Sequence, residues 1–259
     1  MLNIVVPMAG RGSRFTDAGY TVPKPAIPIR GMPMVELVAR SLRPARAHRF
    51  TFLVLKDHVD RFGFDRLLHG IDPSARIVTV DTVTEGAACT VLLARDAIDS
   101  DDPLMLANSD QWVDMNINEY LAALDGGGAD GLIMTMTADD PKWSYVGLDS
   151  RGRVNRVVEK QVISPEATVG IYNFRRGRDF VWAADEMIRH NRRVNNEFYV
   201  APVYNEMIAR SARIDVYSVG SVSERMWGLG TPADLELFIR SEASSAAIAR
   251  AQRAGAGHS

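Results

Sequence analysis

At 259 residues, with 46% hydrophobic and 24% charged side chains, the chain has the composition of a globular domain with a substantial core, away from disordered and fibrous ranges. A formal charge of −2 excludes the basic footprint of a protein whose main partner is nucleic acid or an anionic membrane. One cysteine, Cys89, excludes an intrachain disulfide framework, and five scattered histidines lack the spacing of a zinc site.

The first predicted element is a strand over Leu2 to Met8, with no basic leader ahead of it, and no apolar run approaches the roughly 18 residues of a membrane span. The expectation is a cytoplasmic protein. Further strands are predicted over Thr51 to Leu55, Arg76 to Val80 and Leu104 to Ala107, with helices over Pro33 to Arg43 and Gly86 to Ala97. Short apolar runs alternating with helical patterns predict an α/β, Rossmann-like, mostly parallel sheet flanked by helices. From Ala129 the strands are closer together (Gly131 to Thr137, Tyr145 to Asp149, Val154 to Glu159, Thr168 to Phe174), which predicts an appended antiparallel portion. Helical patterns return at Arg178 to His190, Ala201 to Arg210 and from Pro232, with one more strand over Ile214 to Val219. Residues 1–241 read as one domain, and the Ala/Ser/Arg-rich residues 242–259 as the end of a last helix running into a flexible tail.

The strongest local signal follows the first strand: Met8-Ala9-Gly10-Arg11-Gly12-Ser13-Arg14-Phe15. Backbone amides unobstructed by side chains can cradle phosphate oxygens in such a loop, and arginine supplies a planar fork suited to phosphate. The dinucleotide fingerprint needs a glycine where Phe15 stands, and a Walker loop needs a Gly-Lys-Ser/Thr that is absent. A plain glycine turn remains the alternative. Pro23-Lys24-Pro25 then holds one lysine between two residues of fixed φ, either as a rigid phosphate contact or as an extended surface stretch.

Together, Gly10-x-Gly12-x-Arg14-Phe15 and Pro23-Lys24-Pro25 resemble the signature of the sugar-phosphate nucleotidylyltransferases, the NDP-sugar pyrophosphorylases, over about Leu2 to Phe238. The resemblance implies a parallel nucleotide-binding core with an acceptor-binding insertion. Its reaction transfers a nucleoside monophosphate from an NTP to a phosphorylated small metabolite, usually a sugar phosphate, releasing pyrophosphate. Met8, Ala9, Gly10, Gly12 and Ser13 would surround the NTP, with Arg14 and Lys24 as catalytic cations.

Asp110 ends the apolar run Leu104 to Ala107 at the carboxyl edge of the predicted sheet, where ligands bind in open α/β folds. A hard oxygen ligand there suits Mg²⁺, and a helix-capping aspartate is the alternative. In the family this position carries the metal-binding aspartate. By the same resemblance Glu85 and Gly86 contact the nucleobase, whereas Glu159 and Lys160 hold the acceptor beside the Gly170 backbone; an ordinary acidic helix start and a solvated surface pair are the alternatives, and Asn196, Glu197 and Tyr199 are further candidates for the acceptor side. One departure marks a divergent branch: in Met226-Trp227-Gly228-Leu229-Gly230-Thr231, Gly228 stands where a second metal carboxylate is common, so that either one aspartate with phosphates and water is enough or another acid such as Asp114 or Glu224 contributes. The competing functions are a non-catalytic nucleotide-binding module, favoured by Gly228, and a nucleotide-sugar-dependent glycosyltransferase, for which an Asp-x-Asp motif is missing.

Overall fold

The computed structural model describes residues 1–256, with side chains through 254. In chain order the elements are β1 (Leu2–Pro7), α1 (Ser13–Asp17), β2 (Pro28–Ile29), β3 (Met32–Pro33), α2 (Met34–Leu42), β4 (His48–Leu55), α3 (Lys56–Phe62), α4 (Phe64–Ile71) and β5 (Arg76–Val80). Then come α5 (Ala87–Leu92), α6 (Arg95–Ile98), β6 (Leu104–Ala107), β7 (Gln111–Val113), α7 (Ile117–Gly127), β8 (Gly131–Thr137), β9 (Ser144–Leu148), β10 (Val154–Glu159) and β11 (Glu166–Phe174). The chain continues through α8 (Gly177–Arg189), α9 (Tyr204–Ala209), β12 (Ile214–Ser221), β13 (Met226–Gly228), α10 (Pro232–Arg240) and α11 (Glu242–Ala256).

Strands β5, β4, β1 and β6 pair in parallel, and β11 joins β6 antiparallel to open the second half of the same sheet, in which β8 and β9 run antiparallel to β11 and β10 antiparallel to β9. β12 closes the far edge in parallel with β8. This is the mixed α/β sheet expected from the sequence, its parallel part formed by the first half of the chain.

Parallel strands are covered on both faces, and their side chains divide between two cores. In β1, Leu2, Ile4 and Val6 enter one core and Val5 the other; in β6, Met105 and Ala107 oppose Leu104 and Leu106. Helices α2, α4, α7, α10 and α11 cover the first face, and α5, α8 and α9 the second. Capping sets several helix ends. Asn116 accepts from the Asn118 amide ahead of α7, Gly128 ends it in a left-handed conformation, and Thr231 caps α10 with Pro232 in its first turn.

The predicted helix over Gly86 to Ala97 is two short helices, α5 and α6, and Ala201 to Arg210 begins as a 3-10 turn at Ala201–Val203. Helices α1, α3, α4 and α7 were not predicted. The expected last helix is α11, which docks on the core through Ala247, Ile248 and Ala251, with Arg40 donating to the Ala251 carbonyl at 3.2 Å. Small side chains let the helix approach closely, so an alanine-rich composition conceals a buried stripe. Residues 257–259, the end of the expected flexible tail, lie outside the described residues.

Candidate active site

A cleft of about 640 Å³ opens above the carboxyl ends of β1 and β6, the edge where open α/β sheets bind ligands. One wall is the loop after β1. Its backbone is fixed by the Met8 amide, which donates to the Leu53 carbonyl at 2.9 Å, and by Phe15, which is 1% exposed and meets Tyr20 edge to face. Phe15 therefore anchors the loop where a dinucleotide fold has its third glycine. Gly12 has φ +63°, and a Cβ there would come within 3.1 Å of Lys24 Cβ, so the glycine permits the lysine segment to lie against the loop.

Lys24 opens a 3-10 turn next to buried Pro25 and reaches across the cleft floor to Asp110, Nζ to Oδ2 at 2.8 Å. Both side chains are a little over one-fifth exposed, so the pair keeps contact with the cleft. Asp110 follows β6, and its position is tied by the Leu229 amide, which donates to its carbonyl at 2.7 Å. Gly230 packs so closely that a Cβ there would sit 2.9 Å from Asp110 Oδ2.

The opposite wall comes from the antiparallel half. β11 breaks register with β8 between Thr168 and Tyr172, and Gly170 within that break has φ +78°. Its carbonyl accepts from the Asn108 amide at 2.9 Å, and any Cβ on it would run into Gln111 Oε1 and Asn108 Nδ2. Glu159, at the end of β10, is 8% exposed and accepts from Ser144 Oγ. Burial pushes its carboxyl above the usual carboxylate range, with the Ser144 hydrogen bond opposing. Lys160 donates to Tyr199 Oη at 2.6 Å, which with its neighbouring carboxylates raises its pKa.

The structure brings the candidates Met8, Ala9, Gly10, Gly12, Ser13, Arg14, Lys24, Gly86, Asp110, Glu159, Lys160 and Gly170 to one cleft. Two candidates fall outside its lining. Glu85 is 66% exposed at its side chain and turns to Arg193 Nη2 at 3.3 Å, while only its backbone, accepting from the Phe198 amide at 2.8 Å, helps shape the wall. Asn196 is an exposed residue with φ +63°, and the turn it makes presents Glu197 and Tyr199 to the cleft in its place.

Neither proposed substitute for the missing carboxylate is in the cleft: Asp114 pairs with Arg250 at 2.9 Å, and Glu224 accepts from Ser221 Oγ at 2.5 Å. The carboxylate nearest Gly228 is Asp234, whose Oδ2 lies 3.9 Å from where a Cβ would stand. Sequence reasoning also missed Lys142 and Trp143, which line the cleft together, the ammonium 5.0 Å from the ring centre. Their one signal was a Lys-Trp pair after the turn residues Asp139-Asp140-Pro141.

Asp110, partly exposed on the cleft floor, offers the kind of hard oxygen donor that suits Mg²⁺, an ion that takes one or two carboxylates and completes its shell with phosphate and water. Among the described residues no three His, Cys, Asp or Glu side chains form a closed metal cage, and no helix is long and apolar enough to cross a membrane.

A curated relative from Arabidopsis thaliana, a probable mannose-1-phosphate guanylyltransferase 2, is 24% identical over 180 residues, 66% of this chain and 50% of that protein. The chain thus spans about half the length of that relative. A nucleoside-diphosphate-sugar pyrophosphorylase from Vibrio cholerae RC9 superposes with a TM-score of 0.75 at 25% identity, covering 92% of this chain and all of that one. An inositol-1-phosphate CTP transferase from T. maritima has the same TM-score at 16% identity over 96% of each chain, a likeness of fold. The resemblance carried by the glycine loop and Pro23-Lys24-Pro25 is matched by the family model for nucleotidyl transferases over residues 4–199, more than half the sequence, and the chain belongs to that family.

Proposed function

We propose that this protein transfers a nucleoside monophosphate from an NTP to the phosphate of a small metabolite of the sugar-phosphate type, with release of pyrophosphate. The observation that carries this reading is the Lys24–Asp110 pair at 2.8 Å on the cleft floor, between the glycine loop and the wall bearing Lys160. An acceptor phosphate is already an anion and needs no protein base, so alignment and charge neutralisation supply the catalysis.

A phosphate oxygen of the acceptor attacks the α-phosphorus in line, and the bond to the bridging oxygen of pyrophosphate breaks. Lys24 bridges the α-phosphate and the incoming phosphate once drawn from Asp110, Arg14 neutralises the leaving pyrophosphate, and Lys160 holds the acceptor phosphate. Asp110 would hold Mg²⁺, which when bound offsets triphosphate charge and makes phosphorus more electrophilic. The Thr84 and Thr90 hydroxyls, 2.6 Å apart, and the Gly86 backbone form the wall suited to the nucleoside.

The test is pyrophosphate release with Mg²⁺, each common NTP in turn and a panel of phosphomonoesters. Release requiring one NTP and one acceptor establishes the reaction and names both substrates. Nucleotide binding without release from any acceptor favours the non-catalytic module, the reading that Gly228 supports.

A further inference from the structure

Gly228 sits in β13 opposite Gln111 of β7, two residues before the Gly230 that packs against Asp110. Its φ lies outside the left-handed region, so the backbone there does not call for glycine. The space beside it does. A Cβ at 228 would stand 3.4 Å from Trp143 Cη2 and 3.9 Å from Asp234 Oδ2, and a carboxyl group beyond that Cβ would compete with the ring for the same place.

Trp143 is held there from two sides. Its ring packs on the core of the first sheet face, and the turn before it is pinned by Asp140, which accepts from the Lys142 amide at 2.9 Å through Oδ1 and from the Tyr145 hydroxyl at 2.8 Å through its carbonyl. The same turn fixes where Lys142 leaves the chain. The Lys142 ammonium lies 5.0 Å from the Trp143 ring centre, where the electron-rich face of an indole favours a cation.

The three lysines lining the cleft are engaged differently. Lys24 donates to Asp110 at 2.8 Å and Lys160 to Tyr199 at 2.6 Å. Lys142 stands 3.5 Å from Asp140 and 3.7 Å from Asp234, beyond the roughly 2.7–2.9 Å of a charge-assisted hydrogen bond, so it is positioned yet keeps its donors for a ligand. It also neighbours Lys160: the Lys160 amide donates to the Trp143 carbonyl at 3.1 Å, which sets the two lysines on either side of Trp143 at one end of β9 and β10. A phosphomonoester carries about −1.5 to −2 charges near neutral pH. The wall that meets it already holds the carboxylates Glu159 and Glu197, so Lys160 alone does not offset that charge, and Lys24 is shared with the α-phosphate and Asp110.

Resting on the transfer reading, we infer that Lys142 is a second phosphate-binding cation for the acceptor, beside Lys160, and that Gly228 leaves room for the Trp143 ring that positions it. An aspartate at 228 would draw the ammonium to itself. The cleft thus has a cation where a two-carboxylate site has its second acid.

The test is calorimetric titration of the full chain, with Mg²⁺ and in turn α,β-methylene analogues of the common NTPs. The probes are glucose 1-phosphate, mannose 1-phosphate, inositol 1-phosphate and glycerol 3-phosphate. Lys142→Met keeps an unbranched stem beside the ring; it weakens the tightest-binding probe about tenfold and leaves affinity for the NTP analogue within about threefold. Lys142→Arg retains most of the probe affinity. Gly228→Asp also weakens the probe about tenfold and Gly228→Ala by less than about threefold, and in a Lys142→Met background the added aspartate has little further effect, because both changes remove one interaction. The Lys142 side chain is nearly half exposed, so its variants retain the fold and decide the matter even where Gly228→Asp does not fold. Unchanged probe affinity in Lys142→Met, an equal loss of probe and NTP-analogue affinity, or no probe binding by the parent overturns the inference. Tighter probe binding in Gly228→Asp at lower Mg²⁺ also overturns it, by marking 228 as a vacated metal-ligand position. Pyrophosphate release from the same panel keeps the two readings apart. A Lys142-dependent phosphate site without release from the parent overturns transfer and leaves the site standing, whereas release with a parental acceptor KM in Lys142→Met supports transfer and overturns the site.

Discussion

The two walls of the cleft are built differently. The wall formed by β1, β6 and their loops grows out of parallel strands buried on both faces, and it presents backbone, two arginines and a lysine held between prolines. The wall formed by β9, β10 and β11 grows out of antiparallel strands with a broken register, and it presents side chains of mixed character: Trp143, Glu159, Lys160 and Tyr172. A triphosphate has one chemistry and can be held by a rigid, repeated device. Acceptors differ, and a wall of individually placed side chains can change one contact at a time. The two meet where Gly86, with φ +130°, lies against the Phe198 backbone, bringing the nucleoside wall to the loop that bears Glu197 and Tyr199.

Substitution on the first wall has the largest expected effect. Lys24→Ala lowers turnover by ~10²–10³, about 3–4 kcal/mol, with the fold retained, as read by pyrophosphate release and thermal melting. Unchanged turnover in a folded variant would remove Lys24 from the mechanism. At the joint, a Cβ on Gly86 would lie 2.5 Å from the Phe198 amide nitrogen and carbonyl oxygen, both backbone atoms that cannot swing away. Gly86→Ala is therefore expected to cost about 1–3 kcal/mol in urea unfolding and to raise KM for both substrates. A change confined to one substrate would show that the walls are not coupled there.

On the second wall, Gly170→Ala collides with side-chain amides rather than backbone, so Gln111 and Asn108 can partly yield. The expected outcome is a stability loss of about 1–2 kcal/mol, chiefly from the left-handed backbone, and a KM change confined to the acceptor.

Glu159 gives a pH-dependent effect of smaller size. Its folded pKa lies above its unfolded value, so the folded state binds the proton more tightly. That contribution to stability is fully present below the unfolded pKa and lost as pH rises through the folded one. Glu159→Gln is thus expected to gain more in melting temperature at neutral pH than in the acid range, and the reverse dependence would contradict the burial argument.

The smallest effect belongs to Glu85→Ala. The exposed Glu85–Arg193 pair contributes little, and KM for the NTP stays within about threefold of the parent. A larger rise would return Glu85 to base recognition.

The fold was readable where periodicity was strong. The predicted strands Arg76 to Val80, Leu104 to Ala107 and Gly131 to Thr137 coincide with β5, β6 and β8, because continuous apolar runs between turn residues have few alternatives. Helices α3 and α4 were missed because they directly follow β4 and are short, seven and eight residues, parted only by Gly63. Too few turns are available there for a helical stripe to show.

The sequence by itself singled out the candidates. Gly12, Arg14, Lys24 and Asp110 belong to segments whose backbone is constrained by glycine, proline or the end of a buried strand, so residue type and spacing were enough to bring them forward. Only the tertiary structure decided which residues share the cleft across 86 positions of chain, as Lys24 and Asp110 do. It also turned Glu85 toward Arg193, put Asp234 beside Gly228, and set Lys142 and Trp143 opposite the glycine loop. Those outcomes depend on side-chain direction and on the meeting of distant segments, which are fixed by packing and have no local pattern to reveal them.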